Sequence, residues 1–282
     1  MTIHHHNEHE SSVNIQGVRI GLGFPDEFDF GWVGQEEVLD QLLAAWLVID
    51  SKDLPMNPRL IGKPGVGKTT LAYAATKRLG KPAYIFQATM DTRPEDLLIT
   101  PVIDEAGKIR YVASPLVTAM VRGGVCILDE GNRMSEKSWA SLAPLLDTRR
   151  YVESIIAGLK ISAHPDFRIC VTMNDDASTF EIPEYIHSRL QPQIYLDFPE
   201  AEEERRILKE NLPFLDEEIL DYVVAFLQKA HSNNEQYTVR DGINIARYAA
   251  KRITDTKATT IEGLLRQAVV MTLGDEALTY LT

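Results

Sequence analysis

The sequence predicts an α/β fold in which a parallel sheet carries a glycine-rich loop and gives way to a helical C-terminal domain. Three observations predict it. A glycine-rich stretch, Gly62-Lys63-Pro64-Gly65-Val66-Gly67-Lys68-Thr69-Thr70, lies between a short β-like run (Pro58-Arg59-Leu60-Ile61) and a helical one. Apolar β-like runs recur and end in polar groups: Val125-Cys126-Ile127-Leu128 before Asp129-Glu130, and Phe167-Arg168-Ile169-Cys170-Val171-Thr172-Met173 before Asn174. From about residue 199 onward only helical spacing remains, and this switch from strand–helix alternation marks a domain boundary near Phe198-Pro199.

The bulk numbers bound the class. With 282 residues, 44% of them apolar and 25% charged, the chain can bury one large core or two modest ones, as an ordinary globular protein does. A net charge of −12 argues against a general polyanion binder, because phosphate backbones select for lysine and arginine. No apolar run reaches membrane-spanning length, the best lying at 42–49, and no signal-peptide pattern opens the sequence. A cytoplasmic protein without membrane insertion is the expectation. Cys126 and Cys170 each sit inside a β-like apolar run and read as buried thiols rather than a disulfide or metal pair.

Taken in order, residues 1–12, with His4, His5, His6 and His9, read as a mobile tail rather than a metal site. Residues 13–22 alternate apolar and polar around glycines, a short hairpin or arm. Phe30-Gly31-Trp32-Val33-Gly34-Gln35 then leads into a helix whose apolar face includes Val38, Leu39, Leu42, Leu43, Trp46 and Leu47. After the glycine loop, Leu71, Ala74, Ala75 and Leu79 recur at helical spacing until Gly80 stops the run.

Ala83-Tyr84-Ile85-Phe86-Gln87 reads as a second strand, and 91–98 as a short capped helix. Residues 102–112 form two β-like arms around Asp104-Glu105-Ala106-Gly107, a hairpin inserted into the α/β alternation, and 115–121 returns as helix. Residues 135–146 read as an amphipathic helix kinked at Pro144, and 151–162 as a second hairpin around Ala157-Gly158. A short helix at 183–190 precedes a fifth strand, Ile194-Tyr195-Leu196. Helices are expected at about 201–211, 216–231, 239–253 and 260–273.

The residue types in the loop explain what it is for. Gly62, Gly65 and Gly67 permit backbone angles closed to other residues, so successive N–H groups can turn inward around a phosphate. The helix beginning near Lys68 adds unpaired N–H donors and the positive end of its dipole. Lys68 would neutralise β- and γ-phosphate oxygens, and the Thr69 hydroxyl would take one Mg²⁺ position. Pro64, Val66 and Thr70 complete the cradle.

Asp129 and Glu130 sit at the C-terminal tip of a buried strand, the edge where ligands of open α/β sheets collect. Asp129 is suited to hold Mg²⁺, directly or through water. Glu130 is suited to polarise a water attacking the γ-phosphate. Asn174, at the same edge, could orient that water.

Together these stretches resemble the AAA+ ATPases, and within them the MoxR-like branch related to midasin, MCM and McrB-like ATPases, over nearly the whole chain from about Phe30. Gly62 through Thr69 resembles Walker A, Val125 through Glu130 resembles Walker B, and Asn174 in Val-Thr-Met-Asn resembles sensor 1. Leu128-Asp129-Glu130-Gly131-Asn132-Arg133 is similar to the family's LDEINR stretch, with Gly131 where an aliphatic residue is usual. Ser188-Arg189-Leu190 resembles the arginine-finger motif, and Arg240 resembles sensor 2. The resemblance places Val33 and Gly34 with the nucleotide contacts, and makes 102–112 the helix-2 insert and 151–162 the pre-sensor-1 hairpin.

The fold it implies is a five-stranded parallel P-loop αβα core with both hairpins, at 23–198, a small all-α lid at 199–282 and a flexible arm at 1–22. The implied ligands are ATP and Mg²⁺. Arg189 would reach the γ-phosphate of an adjacent subunit, which implies a homo-oligomeric ring, usually a hexamer. The implied work is remodelling, activation or assembly of a protein partner, such as a von Willebrand A-domain protein. A nucleotide-gated scaffold, and an NTP-driven nucleic-acid or defence motor of MCM or McrB type, remain open at this level. Nothing in the loop distinguishes ATP from GTP.

Overall fold

The computed structural model describes residues 12–29, 31–175, 181–255 and 260–281. The His-rich start and Phe30 lie outside them. The chain divides into two compact units: Met1–Phe28, Val38–Ile61 and Lys68–Tyr195 form one, and Asp29–Glu37, Gly62–Gly67 and Leu196–Thr282 the other.

In the first unit, β1 (Ser12–Ile15) and β2 (Val18–Gly21) form a hairpin. It is followed by α1 (Glu36–Trp46), which buries Leu39, Leu42, Ala45 and Trp46. Then come β3 (Arg59–Gly62), α2 (Lys68–Arg78), β4 (Ala83–Gln87), α3 (Pro94–Leu97), β5 (Ile99–Ile103) and β6 (Ile109–Ala113). Helix α2 ends as Gly80 turns left-handed, φ 63°. There the Lys81 N–H donates back to the Thr76 carbonyl at 3.1 Å, so the last turn keeps its partners.

The hairpin β5–β6 is antiparallel, and β6 pairs in parallel with β2, giving a four-stranded sheet in the order β1-β2-β6-β5. Residues 12–21 are therefore strands of a sheet and not a free arm. Ile20 of β2 is fully buried in the main core.

Helix α4 (Pro115–Arg122) is capped by Ser114, whose Oγ accepts from the Val117 N–H, and is closed by Gly123 at φ 69°. It leads to β7 (Val125–Asp129). Helix α5 (Glu136–Leu142) starts under the Ser135 cap. It stops at Leu142 instead of running kinked to residue 146. Pro144 has no N–H to continue the ladder and its ring opposes the preceding turn, so the break comes two residues ahead of it. Hairpin β8 (Tyr151–Ser154) with β9 (Leu159–Ser162), then β10 (Arg168–Asn174), α6 (Glu184–His187) and β11 (Gln193–Leu196) complete this part.

The five-stranded sheet is parallel, in the order β11-β3-β10-β7-β4. Its central strands are covered on both faces, which is why β10 reads as seven consecutive buried residues and β7 as four.

The second unit holds α7 (Ala201–Asn211), α8 (Glu217–Ser232), α9 (Val239–Asp255) and α10 (Ile261–Leu273). Leu208, Leu220, Val223, Leu227, Ile245, Ala246, Leu265 and Ala268 form its core. Gly242 is needed within it, because a Cβ there would stand 2.6 Å from a Leu227 methyl.

Glu204 of α7 is fully buried in this unit; among the described residues it accepts a hydrogen bond from Gln228 Nε2 at 2.9 Å, and its other oxygen has no partner. Burial pushes its carboxyl up to about 7, against a smaller downward pull from Gln228. An unfolded chain releases that proton near pH ~4.3. Between the two values the folded state holds a proton that the unfolded state has lost, so stability is full below about pH 4.3, falls as pH rises and levels off above about 7. Glu204→Gln removes this slope. Its melting temperature is expected to exceed that of the native protein at pH 8 by about 3–8 °C, and to match it at pH 4.5. Melts at the two pH values check this.

Candidate functional site

Strand β3 runs into the glycine loop, and the loop into α2. Gly65 and Gly67 adopt φ of 83° and 96°, left-handed angles that side-chain-bearing residues avoid. Their neighbours leave no room either. A Cβ on Gly62 would lie 2.4 Å from the Leu196 carbonyl oxygen, and one on Gly65 would lie 2.8 Å from the Thr238 side chain. Pro64 and Val66 sit between these glycines. Thr238 in turn caps the start of α9, exchanging hydrogen bonds with Asp241. Arg240 is exposed in the first turn of that helix. Gly34 is closed in by Glu203, whose Oε1 accepts from the Gln35 N–H at 2.8 Å, so Val33 and Gly34 belong to a segment anchored on α7.

Lys68 opens α2 and is buried, 6% exposed. Thr69 donates its hydroxyl hydrogen to Asp129 Oδ1 at 2.6 Å; Thr70 follows in the same turn. The sheet register explains how Asp129 is held. Leu128 lies beside Val171 of β10, which sets Thr172 next to Asp129. Thr172, 1% exposed, donates its Oγ1 hydrogen to Asp129 Oδ1 at 2.5 Å and accepts the Glu130 N–H at 3.0 Å.

Glu130 is the first residue past the strand, at φ 55° and ψ 39°. A side-chain-bearing residue pays roughly 1–2 kcal/mol for that conformation. The turn aims its carboxylate back over the sheet edge. There Asn174 Nδ2 donates to Oε1 at 3.2 Å, Gln87 Nε2 donates to Oε2 at 3.1 Å, and Arg133 Nε forms an ion pair with Oε2 at 2.8 Å.

Asn174 is fixed by Asn132, whose Nδ2 donates to the Asn174 carbonyl at 2.8 Å while its Oδ1 accepts the Asn174 N–H at 3.3 Å. The usual aliphatic residue is absent at Gly131 for a packing reason: a Cβ there would meet a Val171 methyl at 2.4 Å and the Trp139 ring at 3.3 Å.

The structure thus brings together Thr69, Asp129, Glu130 and Asn174, through four residues that sequence reasoning did not select: Thr172, Asn132, Gln87 and Arg133. Thr172 had a signal. It stands two residues before Asn174 in a strand whose preceding three residues are all apolar, so both face the same side. Arg189 has other partners. Its Nη1 donates to the Tyr185 carbonyl at 2.5 Å and its Nε lies 3.6 Å from Asp147 Oδ2. Asp147 is held mainly by Arg149, whose hydrogen bonds bring its carboxyl down to about 2. The pairing with Arg189 is the looser one.

Chemically, this edge offers two carboxylates with different surroundings. Asp129 accepts two hydroxyl protons on one oxygen, the arrangement of a group ready to exchange them for a cation. Its pairing with Thr69 suits Mg²⁺, which takes one or two protein oxygens and completes its shell with phosphate and water. Glu130 is held by amides and one arginine at the rim, 29% exposed, within reach of a water.

The AAA domain family of the dynein-related subfamily matches residues 59–190. Curated relatives include a Staphylococcus aureus protein, 23% identical over 229 residues, covering 79% of this chain and 87% of its own. A Staphylococcus epidermidis protein is 24% identical over 228 residues, with 79% and 86% covered. Both are described as uncharacterised. Among solved structures, Thermotoga maritima RuvB, described as a Holliday junction branch migration motor, superposes with a TM-score of 0.57 at 17% identity, over 85% of this chain and 70% of that one. That likeness is one of fold. The family match spans residues 59–190, and the glycine loop, Thr69, Asp129, Glu130 and Asn174 all lie within it.

Proposed function

We propose that the chain hydrolyses ATP with Mg²⁺ in a homo-oligomeric ring, and that the cycle remodels, activates or assembles a protein partner in the manner of MoxR-like ATPases. The observation that carries the catalytic part is the set Thr69–Asp129–Thr172 next to Glu130–Asn174 at one sheet edge. In this reading the loop amides of 62–67 and Lys68 bind the triphosphate. Thr69 and Asp129 would hold Mg²⁺, which neutralises charge on the phosphate oxygens. Glu130 takes a proton from the attacking water, Asn174 orients it, and Arg189 of an adjacent copy stabilises charge on the transferred group. Arg240 is assigned to the same γ-phosphate. A hexamer and a von Willebrand A-domain partner rest on the family resemblance.

The test begins with nucleotide binding by the full chain. Lys68→Ala is expected to weaken ATP binding by at least tenfold, measured by calorimetry with Mg²⁺ present, since it removes the buried cation beside the loop. Equal affinity in the variant would sink the site. Partner capture with Glu130→Gln in ATP then separates the two uses of the cycle: a scaffold functions when locked in the triphosphate state, and a remodeller stalls. DNA-stimulated hydrolysis at low salt would move the reading to a nucleic-acid motor.

A further inference from the structure

Asn57, just ahead of β3, ties two distant stretches of the first unit together. Its side-chain nitrogen donates one hydrogen to the Leu146 carbonyl at 2.9 Å and the other to the Arg189 carbonyl at 3.1 Å. Leu146 immediately precedes Asp147, so one side chain sets the backbone of Arg189 beside the backbone of the acid that pairs with it. Arg59, 3% exposed, adds a second tether. Its Nη1 donates to His187 Nδ1 at 2.7 Å, since a guanidinium can only donate, and its N–H donates to the Pro192 carbonyl at 3.0 Å. The turn that carries Arg189 is thus fastened on both sides to β3 and the residues leading into it.

The Arg189 side chain itself is oriented loosely. Its Nη1 donates to the Tyr185 carbonyl at 2.5 Å, and its Nε stands 3.6 Å from Asp147 Oδ2, an ion pair by distance and too long for a hydrogen bond. Asp147 does not need Arg189 as a partner, because Arg149 already donates to it from Nε and Nη2 at 3.0 and 2.7 Å. A long guanidinium side chain loses much rotamer freedom when it is held in one place, and a partner that restricts it beforehand removes part of that cost.

We propose that Asn57 and Asp147 are positioning residues for Arg189. Asn57 fixes where its backbone stands, and Asp147 restricts its guanidinium so that it is ready for the γ-phosphate of a neighbouring copy. This rests on the role of Arg189 between subunits given above. Neither residue contacts nucleotide in this reading. Their loss therefore shows in turnover and in what a subunit lends its neighbour, and leaves the subunit's own ATP binding intact.

The experiment measures phosphate release and calorimetric ATP binding on the full chain, native, Asp147→Asn and Asn57→Ala. Turnover at saturating Mg-ATP is expected to fall by about 10–100-fold in each variant, the cost of a misplaced catalytic group, with the ATP Kd within twofold of native. Adding Asp147→Asn to Arg189→Ala is expected to lower turnover no further. Asp147→Asn subunits mixed with Glu130→Gln subunits are expected to regain activity, because some sites then combine a native Glu130 with a well-placed Arg189. Native turnover in both single variants overturns the assignment, and so does weakened ATP binding. A loss that multiplies with that of Arg189→Ala also overturns it, since Asp147 would then act apart from the arginine. So does a mixture that stays inactive while Arg189→Ala with Glu130→Gln recovers. If Arg189→Ala turns over at the native rate, or its own mixture fails to recover, the role between subunits falls and takes this inference with it.

Discussion

Replacing Glu130 by glutamine is expected to lower the rate of ATP hydrolysis by about 10²–10⁴-fold, the usual span for loss of a positioned general base. The substitution is close to isosteric. It keeps an oxygen for Asn174 or Gln87 and loses the negative charge that pairs with Arg133 and would accept the water's proton. The loop amides, Lys68 and Asp129 are untouched, so ATP affinity should stay near native. Phosphate release under saturating Mg-ATP measures the first quantity and calorimetry the second. Full turnover in the variant would remove Glu130 from the mechanism. Loss of binding together with turnover would make it a structural residue, held at φ 55° for reasons other than catalysis.

Arg189→Ala is the second large effect, an expected fall of about 10³–10⁵-fold in turnover if the guanidinium serves a neighbouring copy's γ-phosphate. Its contacts within the chain are a partly exposed ion pair and one bond to a carbonyl, worth only about 0–1 kcal/mol, so the fold should tolerate the change. The discriminating step is mixing. Glu130→Gln subunits keep Arg189, and Arg189→Ala subunits keep Glu130. If the arginine acts across an interface, a mixture of the two inactive variants regains part of the activity, because some sites combine a native Glu130 with a native Arg189. An arginine acting within its own chain gives no recovery.

Much of this was legible in the sequence, for local reasons. The glycine loop, the acids at the end of β7 and Asn174 at the end of β10 stand where an apolar run ends, and such ends need only the run to be recognised. The helix starts at Pro115 and just past Ser135 followed from proline or serine at the first positions. The rest depends on register and long-range contact. Thr172 joins Asp129 because Val171 pairs with Leu128, and a shift of one residue would have sent it to the other face. Asn132 looked like part of a motif, yet its partner is the backbone of Asn174, 42 residues away. Gly131 looked like a departure from pattern, and the Val171 methyl shows why a larger residue does not fit. The end of α5 at Leu142 was readable from Pro144 had its effect been placed before the ring rather than at it.

The pairing of β2 with β6 has a practical consequence for anyone shortening the chain. A version starting at residue 23 would strip Ile20 and Gly21 from beside Tyr111 and Val112, baring backbone amides and carbonyls along one border and opening a hole where Ile20 was. Such a border recruits strands from other molecules, so oligomers seen with a trimmed protein would report sticky ends and say nothing about a ring. Assembly is best measured on material that retains residues 12–21.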